Sequence, residues 1–297
     1  MKIKFWGVRG SIPSPGPSTA KVGGNTGCVE IRLGNDIFIV DGGTGLRRLG
    51  EALTKELPVK ARVFFSHVHW DHIQGFPFFA PAYIPGNEFH IYGLKNSKQT
   101  LQSILEKQMS GPNFPVNFSI LNAKFIFNDI SAGEVVNDGN LKVTAAFTNH
   151  PNNGLCYRFE DKKAAVVYAS DTEHIEGQLD RNILSILQGA DYFIYDSQYT
   201  DEEYSGKVGF PRKGWGHSTW TEGIKLAKEA GVKYFILFHH DPTHDDEFLK
   251  KKEKECRQVF PNSVVAYEGL EIDIDKQEKP VSIFDLDYEE KESVLKC

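Results

Sequence analysis

Ser66-His67-Val68-His69-Trp70-Asp71-His72 places three histidines and an aspartate within seven residues. Neutral imidazole nitrogens and carboxylate oxygens are the donors that borderline metals such as zinc, manganese and iron take, and four on one short loop cost little chain entropy to gather. Steric reach keeps all four from serving one ion, so the natural division is His67 and His69 on a first metal, Asp71 and His72 on a second. The stretch directly follows Ala61 to Phe65, an apolar run that predicts a short buried strand. The histidines then sit on a loop at a strand's carboxyl end, where chemistry is usually mounted.

More donors of the same kind lie downstream. His150 stands in Thr148-Asn149-His150-Pro151, Asp171 in Ala169-Ser170-Asp171-Thr172, and His239 or His240 in Leu237-Phe238-His239-His240-Asp241-Pro242. Each comes just after a predicted strand. A lone histidine in such a place is more often a capped or core residue; their co-occurrence is what points to a metal centre.

The rest of the chain reads as one α/β unit. Cys28 to Leu33 and Asp36 to Val40 alternate like strands around a Gly34-Asn35 hairpin, and further strands are predicted at Glu88 to Tyr92, Leu141 to Phe147, Leu155 to Phe159, Ala164 to Ala169, Tyr192 to Tyr195 and Lys233 to Phe238. Thr44 to Leu57 predicts a helix with Leu46, Leu49, Leu53 and Leu57 on one stripe, and helices are also predicted at Ser97 to Met109, Gln178 to Leu187, Thr219 to Ala230 and Asp245 to Val259. No repeat or Gly/Ser-rich linker divides the chain, so residues 1–275 are expected to be one domain and residues 276–297 an acidic surface tail. The Phe- and Pro-rich stretch Phe76 to Asp129 reads either as a lid over the site or as an ordinary subdomain wall.

Composition narrows the function classes. The 297 residues carry 34 Lys+Arg against 40 Asp+Glu, a net charge of −6, which leaves no broad basic surface for long nucleic acid. The Lys250-Lys251-Lys252 run lies among Glu247, Glu253 and Glu255 and reads as a solvated helix face. The longest apolar runs, such as Tyr234 to Phe238, fall far short of the ~20 residues of a membrane span, and the start lacks a signal-peptide pattern, so a cytoplasmic protein is expected. Cys28, Cys156, Cys256 and Cys297 form no CxxC pair and read as buried or incidental thiols.

With these residues in hand, the sequence resembles the metallo-β-lactamase-fold metallohydrolases. The resemblance rests on His67-x-His69-x-Asp71-His72, the preceding Val40-Asp41-Gly42-Gly43-Thr44-Gly45, and His150, Asp171 and His239 in order. It implies an αββα sandwich, two mixed sheets packed face to face with helices outside. It also implies that His67, His69 and His150 hold one metal, that Asp71, His72 and His239 hold another, that Asp171 bridges them, and that Asp41 orients a ligand histidine. Two divalent ions are expected, zinc first, with manganese or iron as alternatives.

Trp6-Gly7-Val8-Arg9-Gly10-Ser11-Ile12-Pro13, Gly23-Gly24-Asn25-Thr26-Gly27-Cys28 and Gly216-His217-Ser218-Thr219 are similar to the tRNase Z-like phosphodiesterase branch. That likeness makes His217 a proton donor held by Asp196, where the branch commonly carries glutamate. In phosphodiester hydrolysis, two metals about 3.5–4 Å apart would neutralise phosphoryl charge and supply a bridging hydroxide as nucleophile, while His217 protonates the poor ribose leaving group; Asp71, His217 and Asp196 are the expected catalytic residues. The tRNA-processing members carry a basic arm between the positions matched by His150 and Asp171, which here are only 21 apart. The reading favoured is therefore a phosphodiesterase for a small diester, a 3′,5′-cyclic nucleotide foremost. An RNA 3′-processing nuclease and a non-catalytic metal-binding protein are the alternatives. Phe79, Phe114, Phe118 and Trp215 are candidates to stack on a base, His240 is a candidate substrate contact, and a homodimer is suggested by the relatives.

Overall fold

The computed structural model describes residues 1–95 and 99–286. In chain order its elements are β1 (Lys2–Gly7), β2 (Cys28–Leu33), β3 (Asp36–Val40), α1 (Gly45–Leu53), β4 (Lys60–Phe64), α2 (Trp70–Ile73), β5 (Glu88–Leu94), α3 (Leu101–Gln108), β6 (Lys124–Ile130), β7 (Val135–Asp138), β8 (Leu141–Thr148), β9 (Gly154–Glu160), β10 (Ala165–Ala169), α4 (Arg181–Leu187), β11 (Tyr192–Asp196), α5 (Asp201–Ser205), α6 (Trp220–Glu229), β12 (Tyr234–Phe238), α7 (Asp246–Val259), β13 (Ser263–Val265) and β14 (Glu271–Asp273). The strands form two sheets, ordered β14-β1-β2-β3-β4-β5-β6 and β13-β12-β11-β10-β9-β8-β7. Each is mixed: β3 to β6 and β10 to β13 run parallel to their neighbours, while the remaining pairings are antiparallel.

Two-residue alternation builds the layers. On β3, Phe38 and Val40 enter the core between the sheets with Phe5, Tyr157, Phe159 and Phe238, whereas Ile37 and Ile39 enter a second core with Leu46, Leu49 and Leu53 of α1. Helices thus lie outside two face-to-face sheets, the expected αββα sandwich. The carboxyl ends of β3, β4, β10, β11 and β12 carry Asp41, the His-rich loop, Asp171, Asp196 and His239, and the end of β8 carries His150. Chain direction alone collects the predicted donors at one edge.

Several expectations are corrected. Helix α1 stops at Leu53, and Leu57, which precedes Pro58, is exposed. Helix α3 begins at Leu101 because Thr100 caps it by accepting from Ser103 N at 3.1 Å, and α4 begins after Asp180, which accepts from Asn182 N and Ile183 N. The first two residues predicted for this helix, Ser97 and Lys98, lie outside the described residues. Of the two readings of Phe76 to Asp129, the subdomain wall describes what it builds: β5 and β6 at one edge of a sheet and α3 against the second core. Lys252 is buried rather than solvated, its ammonium donating to Ser197 O and Gln198 O. The expected tail begins as part of the body, with Ser282 and Ile283 fully buried; residues 287–297 lie outside the described residues.

Candidate metal centre

His67, His69 and His150 bring their ring nitrogens within 4.8 Å of one another. The Nδ1–H of His150 donates to Gly216 O at 2.8 Å, which turns Nε2 toward His69 Nδ1, 3.1 Å away. His67 Nε2 is buried without a hydrogen-bond partner and lies 3.7 Å from Asp171 Oδ1. Burial lowers the pKa of all three rings, holding them in the neutral form that binds metal.

Asp71, His72, Asp171 and His239 form the second group. His72 Nε2 stands 3.2 Å from Asp71 Oδ2 and 3.0 Å from Asp171 Oδ2, yet forms no hydrogen bond with either. His239 Nε2 is 3.2 Å from the same two oxygens. Asp171 faces both groups: Oδ1 lies toward His67 and His150, Oδ2 toward His72 and His239. The buried, unpartnered Nε2 atoms of His67 and His72, one in each group, fit a pair of divalent cations. Burial works against charging His72 and His239, but the Asp171 and Asp71 carboxylates prevail. His72 is raised well above its ordinary value and His239 to about 9, and cations binding there would displace those protons.

Each second nitrogen of these rings is held. Asp41 Oδ2 accepts from His72 Nδ1 at 2.8 Å and is itself fixed by Ser66 Oγ and Tyr168 OH; Gln198 Oε1 accepts from His239 Nδ1 at 2.8 Å. Asp41, Asp171 and His239 sit at φ 62°, 56° and 59°, a left-handed backbone that costs about 1–3 kcal/mol each and turns the chain sharply at strand ends. Two glycines let backbone close on the centre: a Cβ at Gly10 would lie 2.3 Å from His239 Nδ1, and one at Gly216 2.2 Å from His150 Nδ1.

At the edge of the second group, His217 Nδ1 lies 2.8 Å from Asp196 Oδ2, so the shorter carboxylate reaches. Asp196 is fully buried and also accepts from Gln198 N and Thr172 N. With Nδ1–H committed to Asp196, His217 Nε2 is the free end of the ring.

The other expected substrate contacts divide. Phe79 is a core residue edge-on to Phe89 and serves packing instead, whereas Phe118, stacked on Phe76, and Phe114, edge-on to Phe78, are half-buried. His240 is fully buried with Nε2 at 2.9 Å from Ala266 O, directed into the protein rather than to a substrate. Trp215 remains exposed, next to Gly216. Gln198 escaped the sequence reading, because an amide after a strand end carries no motif. Ser11, whose N–H donates to Asp71 Oδ2 at 2.7 Å, escaped it likewise.

Comparison with known proteins agrees with this geometry. Residues 37–240 match the model of the beta-lactamase superfamily domain. "Ribonuclease Z" of Synechococcus sp. (strain CC9311) is 24% identical over 92% of this chain and 99% of its own. Among solved structures, the metallo-beta-lactamase fold protein YhfI from Bacillus subtilis superposes with a TM-score of 0.68 at 20% identity, covering 91% of this chain and 98% of that one. The short form of human tRNase Z gives 0.65 at 16% identity, over 95% and 100%. A matching family model over more than half the chain and the two-sheet sandwich make this chain a member of the beta-lactamase superfamily, with the fold of its metal-dependent hydrolases and two His/Asp clusters able to hold metal.

Proposed function

We propose that the protein hydrolyses a small phosphodiester, a 3′,5′-cyclic nucleotide foremost, using two divalent cations held by His67, His69 and His150 and by Asp71, His72 and His239, with Asp171 shared. The observation that carries this reading is the His217–Asp196 pair set beside two donor groups that share one carboxylate. Bound there, divalent cations such as zinc, manganese or iron would neutralise phosphoryl charge and activate water. Asp41, Gln198 and the Gly216 carbonyl fix the ligand rings before substrate arrives, so little reorganisation remains for the reaction. Asp196 fixes the tautomer of His217, whose Nε2 hands a proton to the departing ribose oxygen. An alkoxide leaves poorly, so this transfer is where the chain's own side chains contribute most.

A small substrate suits the surroundings. The stretch from His150 to Asp171 is taken up by the antiparallel β9–β10 pair, with Tyr168 opposite Tyr157 and Ala165 opposite Glu160. The second reading, RNA 3′ processing, is favoured by the near full-length match to the Synechococcus ribonuclease Z. Incubating the metal-loaded protein with bis(p-nitrophenyl) phosphate, cyclic mononucleotides and cyclic dinucleotides, with and without chelator, tests the proposal. Metal-dependent cleavage of the aryl diester and of at least one 3′,5′-cyclic mononucleotide is expected; a fully loaded protein that cleaves neither contradicts it.

A further inference from the structure

The segment Gly206-Lys207-Val208-Gly209-Phe210-Pro211-Arg212-Lys213-Gly214-Trp215-Gly216 runs directly into His217 and stands apart from the acidic chain around it. It holds three basic residues and no acidic one. Its large apolar side chains point outward: Phe210 is 77% exposed and Trp215 54%. Backbone bonds hold the loop in place, Val208 N to Glu202 O and Arg212 N to Tyr204 O at 3.1 Å each, and Glu173 accepts from Gly214 N and Gly216 N. Lys213 is spent on Glu176, 2.8 Å away.

Arg212 is different. Its guanidinium lies over the Trp215 ring at 4.6 Å and near the Tyr199 ring at 5.8 Å, and among the described residues no carboxylate pairs with it. Tyr199 in turn meets the His217 ring edge-on at 6.0 Å. The order outward from the proton donor is therefore His217, Tyr199, Arg212, Trp215. A half-exposed guanidinium steadied by aromatic faces keeps its planar fork of donors free, and that fork matches a phosphate. An exposed indole beside it offers a face for a base.

We propose that Arg212 and Trp215 form a second phosphate-and-base subsite, which recognises a phosphate other than the scissile one on a nucleotide substrate. Arg212 binds that phosphate and Trp215 stacks on the adjoining base. Beside the cyclic mononucleotides this adds a further substrate class, a nucleotide diester that carries a second phosphate, such as a cyclic dinucleotide. The inference rests on the phosphodiesterase reading only in placing the first phosphate at the metal groups.

Equilibrium binding tests it without turnover. Calorimetry on the metal-loaded full chain would compare adenosine 5′-monophosphate with adenosine 3′,5′-bisphosphate. The bisphosphate should bind roughly ten-fold or more tightly, as a charge-assisted contact to a second phosphate requires. Arg212→Gln should remove that increment, Arg212→Lys should keep part of it, and Trp215→Leu should weaken both nucleotides alike. An absent increment in the wild type, or one that survives in Arg212→Gln, overturns the subsite. Turnover of cyclic mononucleotides by the same preparation is scored separately, so a failed phosphodiesterase reading and a failed subsite give different results.

Discussion

Replacing His217 with alanine separates proton donation from every other role the centre could give this residue. The ring stands 5.3 Å from that of His150 and 4.9 Å from that of His239, centroid to centroid, without orienting either. His150 keeps its bond to Gly216 O and His239 its bond to Gln198, so both metal groups should survive the substitution. Asp196 loses its bond to His217 Nδ1 but retains Gln198 N at 3.1 Å and Thr172 N at 3.3 Å, so no bare charge is left buried. The loss should then be confined to the proton delivered to the leaving oxygen, ~10²–10⁴-fold, or roughly 3–5 kcal/mol of transition-state stabilisation. A p-nitrophenolate departs without a proton. The assay is kcat/KM of His217→Ala on a cyclic nucleotide and on bis(p-nitrophenyl) phosphate, beside metal content by mass spectrometry. A large loss on the first substrate, a much smaller one on the second and unchanged metal content are expected. Equal losses on both substrates, or loss of a metal, would refute the proton-donor argument.

Asp41→Asn should lower metal affinity by about 10–100-fold in a chelator competition, because His72 Nδ1 loses its anionic acceptor; wild-type affinity would show that Asp41 does not orient the ring. His239→Ala should cost a metal equivalent, whereas His240→Ala should keep two and lower only thermal stability, since His240 bonds Ala266 O inside the protein; the reverse pattern would shift the ligand by one residue. Burial pulls the Lys252 pKa down to about 8 from 10.5, so between those values the unfolded chain holds a proton that the folded chain lacks. Stability from this residue therefore rises with pH across that window, and denaturant titrations should show a flatter pH dependence for Lys252→Met. Parallel curves for the two proteins would mean that the lysine does not titrate there.

The clustering of the candidate donors was legible because they follow strands, and strands announce themselves by apolar runs: Ala61 to Phe65 before the His-rich loop, Tyr234 to Phe238 before His239. What orients the donors was legible only in part. Asp41 sits beside glycines in a recognisable stretch, but Gln198 and the Gly216 carbonyl act through tertiary proximity that no spacing encodes. The place of the aromatic candidates was hidden for a related reason. In a Phe-rich segment the sequence does not say which rings face inward, and Phe79 was claimed by the second core while Phe118 packs half-buried against it. Short strands such as β13 and β14, three residues each, and β7, four residues, carry too little alternation to detect, and β6 was missed at the end of the Phe- and Pro-rich stretch. Arg212 has no sequence signal of its own; its place over the Trp215 ring exists only in three dimensions.

The central claim, a phosphodiesterase for small substrates, is tested most directly by presenting a 3′,5′-cyclic mononucleotide and a precursor tRNA to the metal-loaded protein in parallel and resolving the products by chromatography. The account predicts a nucleoside monophosphate from the first reaction and an intact precursor in the second at the same enzyme concentration. Efficient release of a tRNA 3′ trailer with the cyclic nucleotide untouched would contradict it.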